Sequence, residues 1–339
     1  MNKPNIFKFA TKELSQDAFI CWLLAWANKA HQDDELHSVG VRFLESLLAK
    51  KNLNSVQINS IEVRQQYKRI DILVLINTTL KAVRESNKPP EGSLAIIIED
   101  KVGAGLTGNQ LERYYKTVKN LGFSENQILP VYFRTKDKLD LSAIERNYYK
   151  AYMREDFLKV LQSYKGTNQV LKDFRTYWQQ IEDDTNVFQD LDIGAWKNQA
   201  WIGFYKALRG SLGHGSNGNK NLFNTNSSPT YGPLFEQQKK DCKLYIRLCK
   251  DKLNFTVEAN SKNTELIMKL RIKWLKALEK QEVGGFGKIN KAKRVGISKA
   301  MTIGFIEKYV ATKNGKVDVE ETLSNLRSIE QFMKGLEVE

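Results

Sequence analysis

Cysteine, histidine and proline are scarce in this chain, at three, three and six among 339 residues. Cys21, Cys242 and Cys249 are an odd set, Cys242 and Cys249 sit in one strand-like stretch, and no C-x-x-C pair occurs, so neither a disulfide framework nor a zinc site is indicated. His31, His37 and His214 lie among turn or loop residues at no ligand spacing, which argues against histidine-based chemistry. No stretch reaches the roughly 18 uninterrupted apolar residues of a membrane span. The start, with Lys3 and Lys8, lacks the apolar run and small-residue cleavage site of a signal peptide, so a cytoplasmic location away from membranes is expected. A P-loop is missing as well. Gly103-Ala104-Gly105-Leu106-Thr107-Gly108 lacks the Gly-Lys-Ser/Thr that cradles nucleotide phosphates, which excludes ATP hydrolysis by this chain itself.

Apolar residues make up 41% and charged residues 27%, an ordinary globular composition. The length exceeds a usual domain of roughly 100–200 residues, so two domains are expected, 1–185 and 186–339. The acidic Glu182, Asp183 and Asp184 mark the boundary, and a Gly-, Ser-, Asn- and Pro-dense linker or loop spans 213–232. Net charge is +14, and its distribution matters more than its sum. Residues 1–200 hold 28 Lys and Arg against 25 Asp and Glu, whereas residues 201–300 hold 20 against 7, an excess of 13. Clustered positive charge is the footprint of a surface that meets a polyanion, because neutralising phosphates releases condensed counterions. The bland alternative is a lysine-rich solvated face.

Hydrophobic periodicity orders the first half. Leu14, Ala18, Cys21, Trp22, Ala25 and Trp26 recur at helical spacing over 13–29, with Thr11 able to cap and the two tryptophans read as core, and 39–53 repeats the pattern. Hairpin-like strands follow, Val56 to Val63 and Ile70 to Ile76 across a polar break at 65–69. After a polar loop at 85–92, Leu94 to Lys101 reads as a central strand, 109–121 as a helix and 128–133 as a buried strand, with helices at 155–164 and 168–182. In the second half 196–212 is helical, 242–248 and 253–257 alternate like a hairpin, 263–280 is helical, a basic run covers 288–299, and 319–336 is a final helix. The fold class is α/β, with an α+β second half.

Chemistry concentrates at the end of the central strand. Side chains alternate along a strand, so Glu99 and Lys101 share one face and Asp100 takes the other. Asp71 opens the preceding strand, and a hairpin in the expected register sets its carboxylate beside Glu99. Two carboxylates and a lysine are what phosphodiester hydrolysis with a hard cation requires, since Mg²⁺ takes oxygen ligands and keeps waters. Lys101 can position water or stabilise developing negative charge, with burial expected to lower its pKa.

Ile70-Asp71 followed by Glu99-Asp100-Lys101 resembles the signature of the PD-(D/E)XK nuclease superfamily, with Ile in place of the motif's weakly held Pro. Gln110 and Tyr114, four apart on one helical face, resemble the Gln-x-x-x-Tyr element of RecB-like members. Glu13-Leu14-Ser15-Gln16-Asp17-Ala18-Phe19 resembles a bacterial subgroup whose helix glutamate completes the metal site. The resemblance covers roughly residues 5–185 and, more loosely, the remainder. It implies a restriction-endonuclease-like mixed sheet flanked by helices and Mg²⁺ or Mn²⁺ as cofactor. Asp71, Glu99 and Glu13 are then metal ligands, with Asp17 the weaker candidate. Asp71, Glu99, Lys101, Gln110 and Tyr114 are the catalytic set. Defence or restriction nucleases are common in that subgroup.

The expected function is metal-dependent phosphodiester hydrolysis, DNA more than RNA, by an endonuclease that acts alone, as a homodimer or with a sensor partner. The rivals are a binding protein on a nuclease fold and an effector that stays silent until activated. Lys288, Lys291, Lys293, Arg294 and Lys299, beside Phe286, are candidates for gripping a phosphate backbone, with Lys239, Lys240 and Lys243 extending the track. For these the alternative of a solvated basic loop stays open.

Overall fold

The computed structural model describes residues 4–32, 34–102, 108–137, 141–212, 228–279, 281–283, 285–292 and 298–336. Two compact units emerge. One holds the chain up to Asp137 with Leu141–Glu182, and the other the chain from Asp183 onward.

The first unit runs α1 (Glu13–Ala25), α2 (Glu35–Leu48), β1 (Ile61–Tyr67), β2 (Ile70–Ile76), α3 (Leu80–Ser86), β3 (Leu94–Lys101), α4 (Gln110–Lys119), β4 (Ile128–Arg134), α5 (Ser142–Glu145), β5 (Lys150–Met153), α6 (Arg154–Ser163) and α7 (Gln169–Asn186). The strands form one sheet in the order β1-β2-β3-β4-β5. β1, β2 and β3 pair antiparallel, while β3, β4 and β5 pair parallel, so the sheet is mixed. Apolar side chains of α1, α2, α6 and α7 cover one face, and those of α3, α4 and α5 the other. β3 is buried at all eight positions, as its apolar run on both faces requires. Each buried Ile contributes roughly 1.5–3 kcal/mol, so Ile96, Ile97 and Ile98 anchor a strand whose last three positions bury charge.

Helix α1 turns a different face inward from the one its tryptophans indicate. Gln16, Asp17, Phe19, Ile20, Leu23 and Leu24 are buried, Leu14 is 60% exposed, and Trp22 and Trp26 are only partly buried at the edge of the core. Two interactions set this rotation: Phe19 stacks on Phe174 of α7, and Gln16 finds a partner on β3. The cap also differs from expectation, because Lys12 holds the N-cap position and no side chain caps the helix. Gly40 lets α2 cross close by, since a Cβ there would lie 2.7 Å from Ala27 N and 2.8 Å from Leu23 O. His37 belongs to α2 rather than to a loop, and its Nδ1 lies 2.8 Å from Trp26 O. Helix α3 and strand β5 were not anticipated. Each is under eight residues, too short for periodicity to register.

The second unit comprises α8 (Asn198–Leu212), β6 (Thr230–Gln238), β7 (Cys242–Cys249), β8 (Lys252–Ala259), α9 (Thr264–Glu279), β9 (Glu282–Val283), β10 (Gly287–Lys288), β11 (Asn290–Lys291), β12 (Ala300–Glu307), β13 (Thr312–Lys313), β14 (Lys316–Val317) and α10 (Val319–Gly335). Its main sheet is antiparallel in the order β11-β12-β8-β7-β6, and its core gathers apolar side chains of α8, α9 and α10 with those of the sheet. β6 begins inside the stretch read as a linker. Among the described residues no helix is long and apolar enough to cross a membrane.

Candidate active site

The register of the first sheet builds the site. Lys68 and Arg69, with φ of 48° and 70°, form the two-residue turn that pairs Tyr67 with Ile70. β2 then sets Ile72 opposite Ile98, which brings Asp71 and Glu99 level at the next position. Gln66, also left-handed at φ 54°, has no ladder partner, and its amide donates to Asp17 Oδ2 at 3.3 Å and Asp71 Oδ1 at 3.4 Å.

Odd positions of β3 face the α4 layer and even positions the α1 layer, as Ala95 and Ile97 against Ile96 and Ile98 show. On the α4 side Lys101 is the hub. Its Nζ lies 2.7 Å from Glu99 Oε1, 3.3 Å from Glu13 Oε2 and 3.7 Å from Asp71 Oδ2, and it donates to Asp100 O at 2.8 Å. Glu99 is fully buried, and although it is ion-paired with Lys101, neither of its oxygens meets hydrogen-bond geometry with a donor among the described residues. Asp71 Oδ2 accepts from Asp100 N at 3.1 Å.

These surroundings shift the charges. Burial first, and then the Asp71 charge, push the Glu99 carboxyl up to about 8 against the pull of Lys101. Burial alone would lower Lys101, but Glu99, Asp71 and Glu13 outweigh it and raise the ammonium above its ordinary value. The expectation of a lysine depressed by burial is thereby reversed, because three carboxylates surround it.

On the opposite side of β3 lies a buried polar chain. Gln16 Nε2 donates to Asp100 Oδ1, and Gln16 Oε1 accepts from Thr135 Oγ1. Thr135 O accepts from Arg154 Nη1 at 2.9 Å, and Arg154 pairs with Asp137 at 2.8 Å and Glu182 at 2.7 Å. Burial raises Asp17 to about 6, and burial with the Asp17 charge raises Asp100 well above the ordinary range. Asp17 Oδ1 and Asp100 Oδ2 find no donor among the described residues.

On α4, Gln110 Nε2 donates to the Tyr114 hydroxyl at 3.0 Å. Tyr114 is buried, and burial followed by the Glu99 and Asp71 charges raises its hydroxyl pKa, so it stands within electrostatic reach of the carboxylates. Tyr132 lies beside Glu99 on β4 and accepts from Arg134 Nη1 at 2.7 Å. Glu13, Asp71, Glu99 and Lys101 therefore converge, with Gln110 and Tyr114 alongside. Reading the sequence passed over Gln16, Gln66, Asp100, Tyr132 and Thr135. The available signal was Gln16-Asp17, a polar pair on a helix otherwise rich in apolar residues.

The basic candidates belong to the second unit. Lys291 pairs with Glu279, Lys299 with Glu258 at 3.1 Å, and Lys243 with Glu236 at 3.5 Å, while Lys239 donates to Leu336 O at 3.1 Å. Lys288 is exposed on β10, and Lys293 and Arg294 lie outside the described residues.

Residues 4–194, more than half of the chain, match the family model of the PD-(D/E)XK nuclease superfamily. The chain belongs to that superfamily. No curated protein and no solved structure matches it. The five-stranded mixed sheet between helical layers agrees with the PD-(D/E)XK fold, as the Asp71 and Glu99-Asp100-Lys101 pattern led us to expect. Superfamily membership makes the chain a nuclease in general terms, a hydrolase with a nucleic-acid substrate, and PD-(D/E)XK nucleases generally use divalent metals.

The donor set suits such an ion. Glu99, Asp71 and Glu13 supply carboxylate oxygens around one point, and a hard cation prefers carboxylate oxygen. Among the described residues no three of Asp, Glu, His and Cys stand ready-grouped around an ion, and the carboxylates here gather around the Lys101 ammonium.

Proposed function

We propose that the chain is a Mg²⁺- or Mn²⁺-dependent deoxyribonuclease that cuts within a strand, with residues 1–185 as the catalytic domain and 186–339 as a basic accessory domain. The observation that carries this reading is the convergence of Glu13, Asp71 and Glu99 on Lys101, with Glu99 fully buried. Glu13, Asp71 and Glu99 would hold the ion. When bound, the ion supplies Lewis-acid polarisation of the phosphate and acidifies water. Lys101, kept protonated by its carboxylates, places a fixed positive charge where negative charge develops on the phosphate. Tyr114, its hydroxyl oriented by Gln110, lines the same face. The Asp100–Gln16–Thr135 chain ties α1 to β3 and to the residue that follows β4, and so keeps Glu13 at the site. DNA as the substrate, a homodimer that cuts both strands, and a setting in anti-phage defence accord with the subgroup the motifs resemble.

Titration of Mn²⁺ into the intact chain, followed by calorimetry and by melting temperature, tests the ligand assignment. The expected result is saturable binding that raises the melting temperature and disappears in Asp71→Ala. A protein that only binds nucleic acid would show no such metal response and would hold DNA equally well in chelator.

A further inference from the structure

The second unit's positive charge is unevenly neutralised. Ion pairs occupy Lys243, Lys252, Lys291, Lys299 and Lys334, which includes every described lysine of the 288–299 run except Lys288. A groove of about 430 Å³ gathers three of the unit's lysines, Lys240, Lys269 and Lys273, with Asp241, Asn260 and Leu266. Lys240 and Lys273 have no ion-pair partner among the described residues, a condition shared by Lys250, Lys262, Lys276 and Lys288 outside the groove, and Lys269 pairs with the exposed Glu265.

The groove has fixed walls. The β6–β7 turn is tied to the β8–α9 connection by Asn260 N donating to Asp241 O at 3.0 Å and Asn260 Nδ2 donating to Lys240 O at 3.4 Å. Helix α9 is anchored through buried Ile267, Arg271, Trp274 and Leu278, and its first turn is capped by Asn263 Oδ1 accepting from Glu265 N and Leu266 N. Lys269 and Lys273, four residues apart, share one face of that helix. Leu266 is 54% exposed, which leaves an apolar contact beside the cations.

We propose that this groove is a nucleic-acid docking surface, in which Lys240, Lys269 and Lys273 engage the phosphodiester backbone and Leu266 packs against sugar or base. Lys240 and Lys273 can engage a phosphate without first displacing a carboxylate, and three cations around one groove add their attraction for the backbone. The proposal rests on the nuclease reading only for the identity of the polymer.

The test is fluorescence anisotropy of the full chain with a labelled DNA duplex, single-stranded DNA and RNA, in chelator so that no cutting occurs. The triple variant Lys240→Gln, Lys269→Gln, Lys273→Gln is compared with the control Lys291→Gln, Lys299→Gln, both checked for an unchanged melting temperature. The triple variant is expected to weaken duplex binding roughly tenfold near physiological salt and to reduce the slope of log affinity against log salt by about 2 to 3, while the control changes affinity by less than about twofold. Equal losses in the two variants, a triple variant that binds like the original, or an original that binds none of the polymers would each overturn the proposal. Cleavage with Mn²⁺ separates the two readings. Binding through the groove without cutting sinks the nuclease reading alone, and cutting with groove-independent binding sinks the groove alone.

Discussion

The charged groups of the two units obey different physics. Around β3, charge is sparse but buried: Glu99 and Asp100 are fully buried and Lys101 nearly so, and their titration is displaced by one another and by desolvation. In the second unit charge is abundant but wet, in pairs such as Lys291–Glu279 and Lys299–Glu258 whose lysines are about 60% exposed. Burial, rather than number, makes a charge chemically specific. In a low-dielectric setting each neighbour acts strongly, whereas at the surface solvent and salt screen it.

The largest effect that sharpens this contrast is expected at Arg154, whose guanidinium is 1% exposed between Asp137 and Glu182. Arg154→Met removes the buried guanidinium from both carboxylates and should cost about 3 kcal/mol in urea unfolding. A cost no greater than that of a surface pair would break the contrast. Gln16→Ala removes the partner of both Asp100 and Thr135 and should cost about 1–3 kcal/mol.

A pH series in chelator should show the sign of the buried carboxyls. Glu99 is raised to about 8, so the folded state holds a proton that the unfolded chain releases at its ordinary, lower pKa. Stability present below that lower value is lost as pH rises towards 8, with a slope of at most about 1.4 kcal/mol per pH unit for this one proton. Glu99→Gln should flatten that fall, and an unchanged slope would contradict the assignment. The smallest effect belongs to the second unit, where Lys291→Gln and Lys299→Gln should each shift stability by no more than about 0.5 kcal/mol.

Legibility followed the same division. β3 was readable to the residue, because a strand buried on both faces must be continuously apolar, and charge at its end then has only chemistry or a cap to account for it. The Asp71–Glu99 alignment followed from hairpin register. The inward face of α1 was misread because apolar periodicity counts Trp22 and Trp26 as core, and it cannot see that Asp100 on another element offers Gln16 a buried partner. In the 288–299 run the two readings, phosphate grip and solvated loop, were not separable from sequence. Charge density along the chain says nothing of the acids that folding brings alongside, here Glu279 and Glu258, from other segments.

The most direct test of the central claim is cleavage of plasmid and single-stranded DNA with Mg²⁺ or Mn²⁺ by the intact chain, Lys101→Ala and Glu99→Ala. The account predicts cutting by the intact chain and a loss of about 10³-fold or more in each variant. Equal cutting by Lys101→Ala, or no cutting by the intact chain with either metal, would contradict it.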